Sequence, residues 1–363
     1  MIETIKTAAR RVSAKYRKSS REETKQALDC NSQESDKQMF RYLRGDQAPA
    51  SAAMYDPTKQ QLIFDTCTQN ELMIDQWDQI SSMHKQNPPN FGNFLEAYGQ
   101  YQPHQEGVPR ELPTGKQLRA RSQKAGDETA AGSDGWRPVE LKALPLAAWD
   151  TRAKHLRLCA KKGKYPDPYH VVNMTALKKK PDSTLPLEHR MLTVFSALYR
   201  VETGAWYEIL MPWVKKILHP DVVGALEGWE ALDIAWDAQS FLEHAMLSQE
   251  SKALVSYDFA KFFDAFDYDW THQFLLHIGL PLELVELTTR FYKRQKRRVK
   301  KGRALSREFG AYNGYGQGDV LTLIPALLFV FWQFKLVQEL YPGGLITDPE
   351  VRRKFVKGFV ASV

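Results

Sequence analysis

Ala253-Leu254-Val255 is a short apolar run with β-branched content. It opens almost at once into a turn crowded with acids and rings, Asp258-Phe259-Ala260-Lys261-Phe262-Phe263-Asp264-Ala265-Phe266-Asp267. The run reads as a buried strand that delivers Asp258 at its end. A carboxylate there is a hard oxygen donor, the kind of ligand a divalent cation takes. The same letters also fit a capped helix start with no chemistry attached.

The 363 residues are enough for one large core or two ordinary ones, and 43% hydrophobic with 26% charged residues marks a globular chain. A formal net charge of +7 is a mild bias toward polyanions. Cys30, Cys67 and Cys159 lie far apart without histidines at metal spacing, so they read as idle thiols of an intracellular protein, nuclear or cytoplasmic rather than secreted. The longest apolar run, from Val320 to Trp332, is too short for a membrane span and reads as a core helix.

Residues 1–26 are helix-permissive and basic and read as a solvated helix leading into the next domain, although they imitate a targeting presequence. Residues 45–53 read as a linker, 54–59 as a turn, and 70–84 as a helix with Leu72, Ile74, Trp77 and Ile80 on one face. Helical text over 139–161 is broken by Gly163 to Tyr169. Val171 to Leu177 then alternates like a strand, Lys178-Lys179-Lys180-Pro181-Asp182-Ser183 reads as a hairpin tip, and the return limb reaches Leu192. Residues 192–218 read as one or two helices whose Phe195, Tyr199, Trp206 and Tyr207 belong to the core. Helices are also expected over 232–247, 270–278 and 282–292.

The densest charge run follows, from Tyr292 to Arg303. Its Lys293, Arg294, Lys296, Arg297, Arg298, Lys300 and Lys301 could neutralise a nucleic-acid backbone without sequence preference. An import signal or a solvated loop reads equally well from the run alone.

A second element is Gly314-Tyr315-Gly316-Gln317-Gly318-Asp319-Val320-Leu321-Thr322. Its glycines allow close backbone approach to a ligand, and Gln317 offers both a donor and an acceptor. With it, a family resemblance takes shape. Asp258 to Asp264 resembles motif A of reverse transcriptases, most closely the Asp-x-x-Lys-Ala-Phe-Asp form of non-LTR retrotransposons, with Phe262 where Ala is usual. Gly314 to Thr322 resembles motif B, with Leu323 in place of the usual Pro and Pro325 two places later. Ala131-Gly132-Ser133-Asp134-Gly135 is similar to the turn that opens the fingers, with Ala131 for Pro, and Arg190 stands where an Arg-Pro-Ile segment has its Arg, with Met191 for Pro. The stretch from Val223 to Trp229 lacks the Arg of the family's Gly-Phe-Arg.

The resemblance implies an α+β fold: fingers and partial palm of a right-hand polymerase, with helices packed on an antiparallel palm sheet and a helical N-terminal extension ahead of them. The divisions it implies are a basic extension over 1–48, a connector over 49–125, fingers over 126–225 and palm over 226–363. It implies template-directed nucleotidyl transfer by two-metal catalysis, with Mg2+ or Mn2+ on Asp258. Lys178, Lys179, Lys180 and Arg190 would lie on the triphosphate, Phe263 under the sugar as a gate against the ribose 2′-hydroxyl, and Gln317 and Gly318 beside the nucleotide. The expected partners are an RNA template, a DNA primer and dNTPs, with no membrane. Motif C, with its Asp pair, has no counterpart: Phe355 to Val363 resembles the strand that approaches it. The chain therefore reads as a fragment ending before motif C and inactive alone. Two classes stay open, a polymerase region that needs completion and a catalytically dead nucleic-acid-binding remnant.

Overall fold

A computed structural model describes residues 53–102, 106–180, 183–218, 222–226, 228, 231–251, 258–301 and 304–340. The chain divides into two units, Met1–Ala53 and Met54–Val363, and every element below belongs to the second. The basic N-terminal extension, the hairpin-tip residues Pro181 and Asp182, the strand expected at 253–255 and the segment 355–363 lie outside the described residues.

β1 (Met54–Asp56) and β2 (Gln61–Ile63) pair antiparallel around a turn that the Asp56 carboxylate closes by accepting from the Thr58 and Lys59 amides at 2.9 and 3.1 Å. α1 (Thr66–Ser81) starts four residues before the expected helix, because Asp65 caps it by accepting from Thr68 N at 2.7 Å. α2 (Phe91–Tyr98), α3 (Gly115–Gln123), α4 (Pro138–Lys142) and α5 (Leu146–Lys162) follow; α5 stops at Gly163 as expected. Next come β3 (Val171–Lys178), β4 (His189–Val194), α6 (Ala197–Ile217), α7 (Ala231–Leu247), α8 (Phe262–Ala265), α9 (Tyr268–Ile278), α10 (Leu282–Lys293), β5 (Lys296–Lys301), β6 (Ala304–Leu305) and α11 (Leu323–Leu340). The fold is α+β.

The larger sheet has the order β4-β3-β5-β6. The expected sheet was antiparallel; the observed one is mixed. β3 pairs antiparallel with β4 (Ala176 opposite Met191) but parallel with β5 (Val171 opposite Lys296). The chain leaves through β4 and returns only after four long helices, and so long an excursion permits parallel entry. β5 is also the basic run. It is a strand rather than a solvated loop, because Arg297 and Val299 are buried while Lys296 and Lys300 point to water. β4 likewise claims Leu192 to Val194, which sequence periodicity assigned to a helix.

Four apolar clusters organise the body, one of them joining Leu118 of α3, Leu141 of α4, Trp149 of α5 and Val201 of α6. α1 lays Leu72, Ile74, Trp77 and Ile80 over Met174 of β3, Met191 of β4 and Val299 of β5. Trp206, Leu210 and Trp213 of α6 pack with Phe274 of α9, Val285 of α10 and Phe331 of α11. Between these lies an aromatic cluster of Tyr165, Tyr169, Phe195, Tyr199, Phe266, Tyr268, Phe291, Tyr292 and Tyr315. Tyr199 and Phe291 stack in it at 4.1 Å between centroids. Phe195, Tyr199 and Trp206 are buried, as expected of core residues.

α11 is longer than the apolar run suggested. The segment Val320–Val337, which begins in the turn ahead of α11, has mean hydropathy 2.0 and is long and apolar enough to cross a bilayer by length and composition, and 56% of it is buried inside the fold. Ile324, Leu328 and Trp332 sit in the cluster with Trp206 and Phe274, so much of its apolar surface packs inside the fold. Leu323 opens the helix without difficulty. Pro325 falls in the first turn, where a missing N–H breaks no bond.

Candidate functional site

The acidic turn and the glycine loop lie side by side. Tyr315 N donates to Phe263 O at 2.8 Å, and Gly314 N donates to Phe266 O at 2.8 Å. On its far side the loop joins the hairpin: Thr193 N donates to Gln317 O at 2.8 Å, and Leu192 and Gln317 form an isolated parallel bridge. Three segments singled out in the sequence thus share one hydrogen-bonded arrangement.

Two glycines make this contact possible. Gly314 has φ +93°, and a Cβ there would lie 2.9 Å from Asp264 O. Gly318 has φ +126°, and a Cβ there would lie 2.5 Å from Thr193 O. Any side chain at either position would combine backbone strain with a clash.

Asp258 is exposed at the start of the described turn. Lys261 follows in the left-handed region, with φ 55° and ψ 40°. That conformation is costly for a residue with a Cβ and persists only where the surroundings impose it. Here they do. Its Nζ donates to Leu187 O at 3.1 Å and stands 3.9 Å from the centroid of the Trp77 ring, while Trp77 Nε1 donates to Pro186 O at 3.1 Å. Burial, then the Lys179 charge, pull the Lys261 amine below its ordinary range, and Asp264 opposes them.

Phe263 is half-buried with its ring against Phe262, at 5.4 Å between centroids. Asp264 is half-buried, and burial pushes its carboxyl up to about 6 against the pull of Arg297, Lys261 and Lys179. Asp267 is buried and caps α9 by accepting from Trp270 N at 2.8 Å.

Lys178, Lys179, Lys180 and Arg190 are all exposed, with Lys178 opposite His189 and Leu177 opposite Arg190 in the β3–β4 ladder. The parallel pairing brings the end of β5 to the same edge. Burial and the Lys178 charge lower the Lys301 amine, which donates to Gln69 Oε1. Lys178, Lys301, Lys179 and Lys261 therefore form a run of like charges at the hairpin end of the sheet.

The remaining members of the basic run divide. Arg294 and Lys300 are exposed. Lys293 pairs with Asp269 at 2.6 Å, Lys296 with Glu308 at 3.8 Å, and Arg298 with Glu308. Such surface pairs are weak and can exchange for phosphates.

Arg297 leaves the set of backbone-contact candidates. It is 5% exposed and its guanidinium donates inward, to Gly314 O at 2.8 Å, Tyr268 OH at 3.0 Å and Gln295 Oε1 at 3.1 Å. The strand alternation of β5 turned it into the core. Only a β assignment to that run could have shown this in advance.

Other residues hold the site that sequence reading passed over. Asn313, fully buried, donates from Nδ2 to Ile80 O and Asp264 O, both at 2.7 Å, tying α1 to the acidic turn. Tyr268 OH donates to Gly314 O at 3.0 Å. Asp319 accepts from the hydroxyls of Tyr199 and Tyr292 at 2.8 and 2.9 Å.

The donor set for a divalent ion is incomplete. Among the described residues no group of three or more His, Cys, Asp or Glu side chains could hold a metal, and Asp258 is the one carboxylate the motif places for it. A cavity of about 200 Å³ lies elsewhere, lined by Arg121, Ala125, Pro138, Leu141, Arg200 and Val201 among others, and takes no part in this arrangement. A scan against protein-family models and a search of curated proteins each returned no match.

Proposed function

We propose that the chain is the fingers and part of the palm of a polymerase of the non-LTR reverse-transcriptase type, binding a primed RNA template and a dNTP. The observation that carries the reading is the convergence just described. A turn after a candidate metal carboxylate, a Gln-Gly loop and a lysine-tipped hairpin are distant in sequence, and backbone hydrogen bonds join them. Each has a plain structural explanation alone. A nucleotide site accounts for their meeting, because a triphosphate needs cations, a sugar needs a flat apolar neighbour, and a base pair needs a close backbone with a polar side chain. Lys178, Lys179, Lys180 and Arg190 would take the triphosphate, Phe263 the sugar, and Gln317 with Gly318 the nascent pair.

No catalytic step through magnesium or manganese is assigned to these residues, since a lone exposed carboxylate does not fit a two-metal site. The 363 residues contain no Asp-Asp pair. Binding without extension is therefore the activity proposed for this chain, and the alternative of a catalytically dead nucleic-acid-binding remnant shares it.

The test is titration of a DNA-primed RNA template across salt concentrations, followed by addition of dNTPs and magnesium. Binding should weaken as salt rises, with a slope of about 0.9 per phosphate contact, and the slope should fall when Arg294, Lys296, Arg298 and Lys300 are changed to Ala, whereas changing Lys178, Lys179, Lys180 and Arg190 to Ala should weaken dNTP binding and leave that slope alone. No primer extension should occur. Unchanged dNTP affinity in the hairpin variant would refute the hairpin's role. Extension that disappears in Asp258→Asn would refute the inactive state.

A further inference from the structure

We infer that Asp319 is a positioning residue, a buried carboxylate that pins the Gln317–Gly318 turn to two helices and so sets what the turn presents. It is 4% exposed. Oδ2 accepts from Tyr199 OH at 2.8 Å and Tyr292 OH at 2.9 Å, and Oδ1 accepts from Leu321 N at 3.1 Å. Tyr199 stands in the first turn of α6, directly after the hairpin, and Tyr292 stands at the end of α10, directly before β5. One side chain therefore joins the loop to the two elements that flank the sheet.

A carboxylate is the group this position requires. Three donors converge on it, and an ionised carboxylate accepts only, whereas an amide would turn an N–H toward one of them. Burying it is costly unless donors surround it, and burial does push its carboxyl up while the two tyrosine hydroxyls pull it down.

The pin acts over a very short path. Asp319 N donates to Gly316 O at 3.3 Å, closing the turn that contains Gln317 and Gly318, and Gln317 O takes the Thr193 amide of β4. A shift at residue 319 has only Gly318 to absorb it before it reaches Gln317. The Asp319 side chain itself touches no ligand in this scheme; it acts through Gln317. What the turn presents to, a nucleotide, rests on the polymerase reading, while the pin itself does not.

The experiment measures amide exchange at Thr193, whose bond to Gln317 reports the turn, alongside the β3–β4 ladder amides of residues 172–176. The full chain is compared with Asp319→Asn and with the double variant Tyr199→Phe/Tyr292→Phe, which removes the two hydroxyls and keeps both rings. Thr193 should exchange at least tenfold faster in both while the ladder stays within twofold. dNTP affinity in the presence of primed template should fall about tenfold, with template affinity unchanged. Unaltered Thr193 exchange in the double variant, or equal acceleration along the ladder, would overturn the pin. If Thr193 responds as expected but the parent chain binds no dNTP, the pin stands and the polymerase reading falls.

Discussion

The acidic turn and the glycine loop meet along one line of hydrogen bonds, yet they are held in opposite ways. The loop is anchored from inside: Asp319 and Asn313 are buried, and Arg297 and Tyr268 grip the Gly314 carbonyl. The turn shares Asn313 on its Asp264 carbonyl but adds an outer anchor, Lys261 reaching to Trp77 of α1 and to Leu187 ahead of β4, and it leaves Asp258 in solvent. A loop fixed by buried polar groups keeps one shape. A turn that adds an outward-reaching lysine to its bonds with the loop depends in part on a helix that lies some 180 residues earlier in the chain.

The largest expected effect bears on the outer anchor. Trp77→Ala removes a buried ring, its hydrogen bond to Pro186 O and the face under Lys261, and should cost about 3 kcal/mol in urea unfolding. Amides of the acidic turn should lose protection before those of the glycine loop; simultaneous loss would erase the contrast between the two anchors.

Arg297→Ala comes next. It strips the Gly314 carbonyl of a charged donor and should cost about 2 kcal/mol, without changing the salt slope of nucleic-acid binding. A reduced slope with unaltered stability would return Arg297 to the phosphate-contact set.

The smallest effect sharpens the electrostatics of the turn. Asp264 has its carboxyl raised to about 6 in the folded chain from an ordinary 3.8. Its protonated form is favoured by the fold, so its contribution is fully present below pH 3.8 and is lost as pH rises through about 6. Asp264→Asn should therefore stabilise by about 1 kcal/mol at pH 7.5 and by nothing near pH 3.5, in thermal melts at the two pH values. A loss of stability at pH 7.5 would mean that Lys261, Lys179 and Arg297 outweigh the burial.

Much of the helical framework was legible because apolar periodicity and caps are local signals. α7, α9 and α10 lie close to where spacing put them, and α5 ends at Gly163 as expected, but the stretch 139–161 divides at Pro145 into α4 and α5. The hairpin was legible from alternation and its lysine tip. The basic run was not, since a strand written Lys-Arg-Arg-Val-Lys-Lys shows almost no apolar alternation; only its place between β3 and β6 makes it one. As candidates, Phe263 and Gln317 announced themselves by type and spacing. Their holders did not. Trp77, Asn313, Tyr199 and Tyr292 look like ordinary core and turn letters, and their partners are fixed only by tertiary contact.

The central claim is that the hairpin, the turn and the loop form one nucleotide site, and photo-crosslinking tests it most directly. A base- or γ-phosphate-azido dNTP is bound to the chain with primed RNA template, irradiated, and the modified peptides are mapped. The phosphate probe should mark residues 178–190, the base probe should mark 314–319, and unlabelled dNTP should compete with both. Crosslinks confined to other surfaces, or labelling that excess dNTP does not reduce, would contradict the claim.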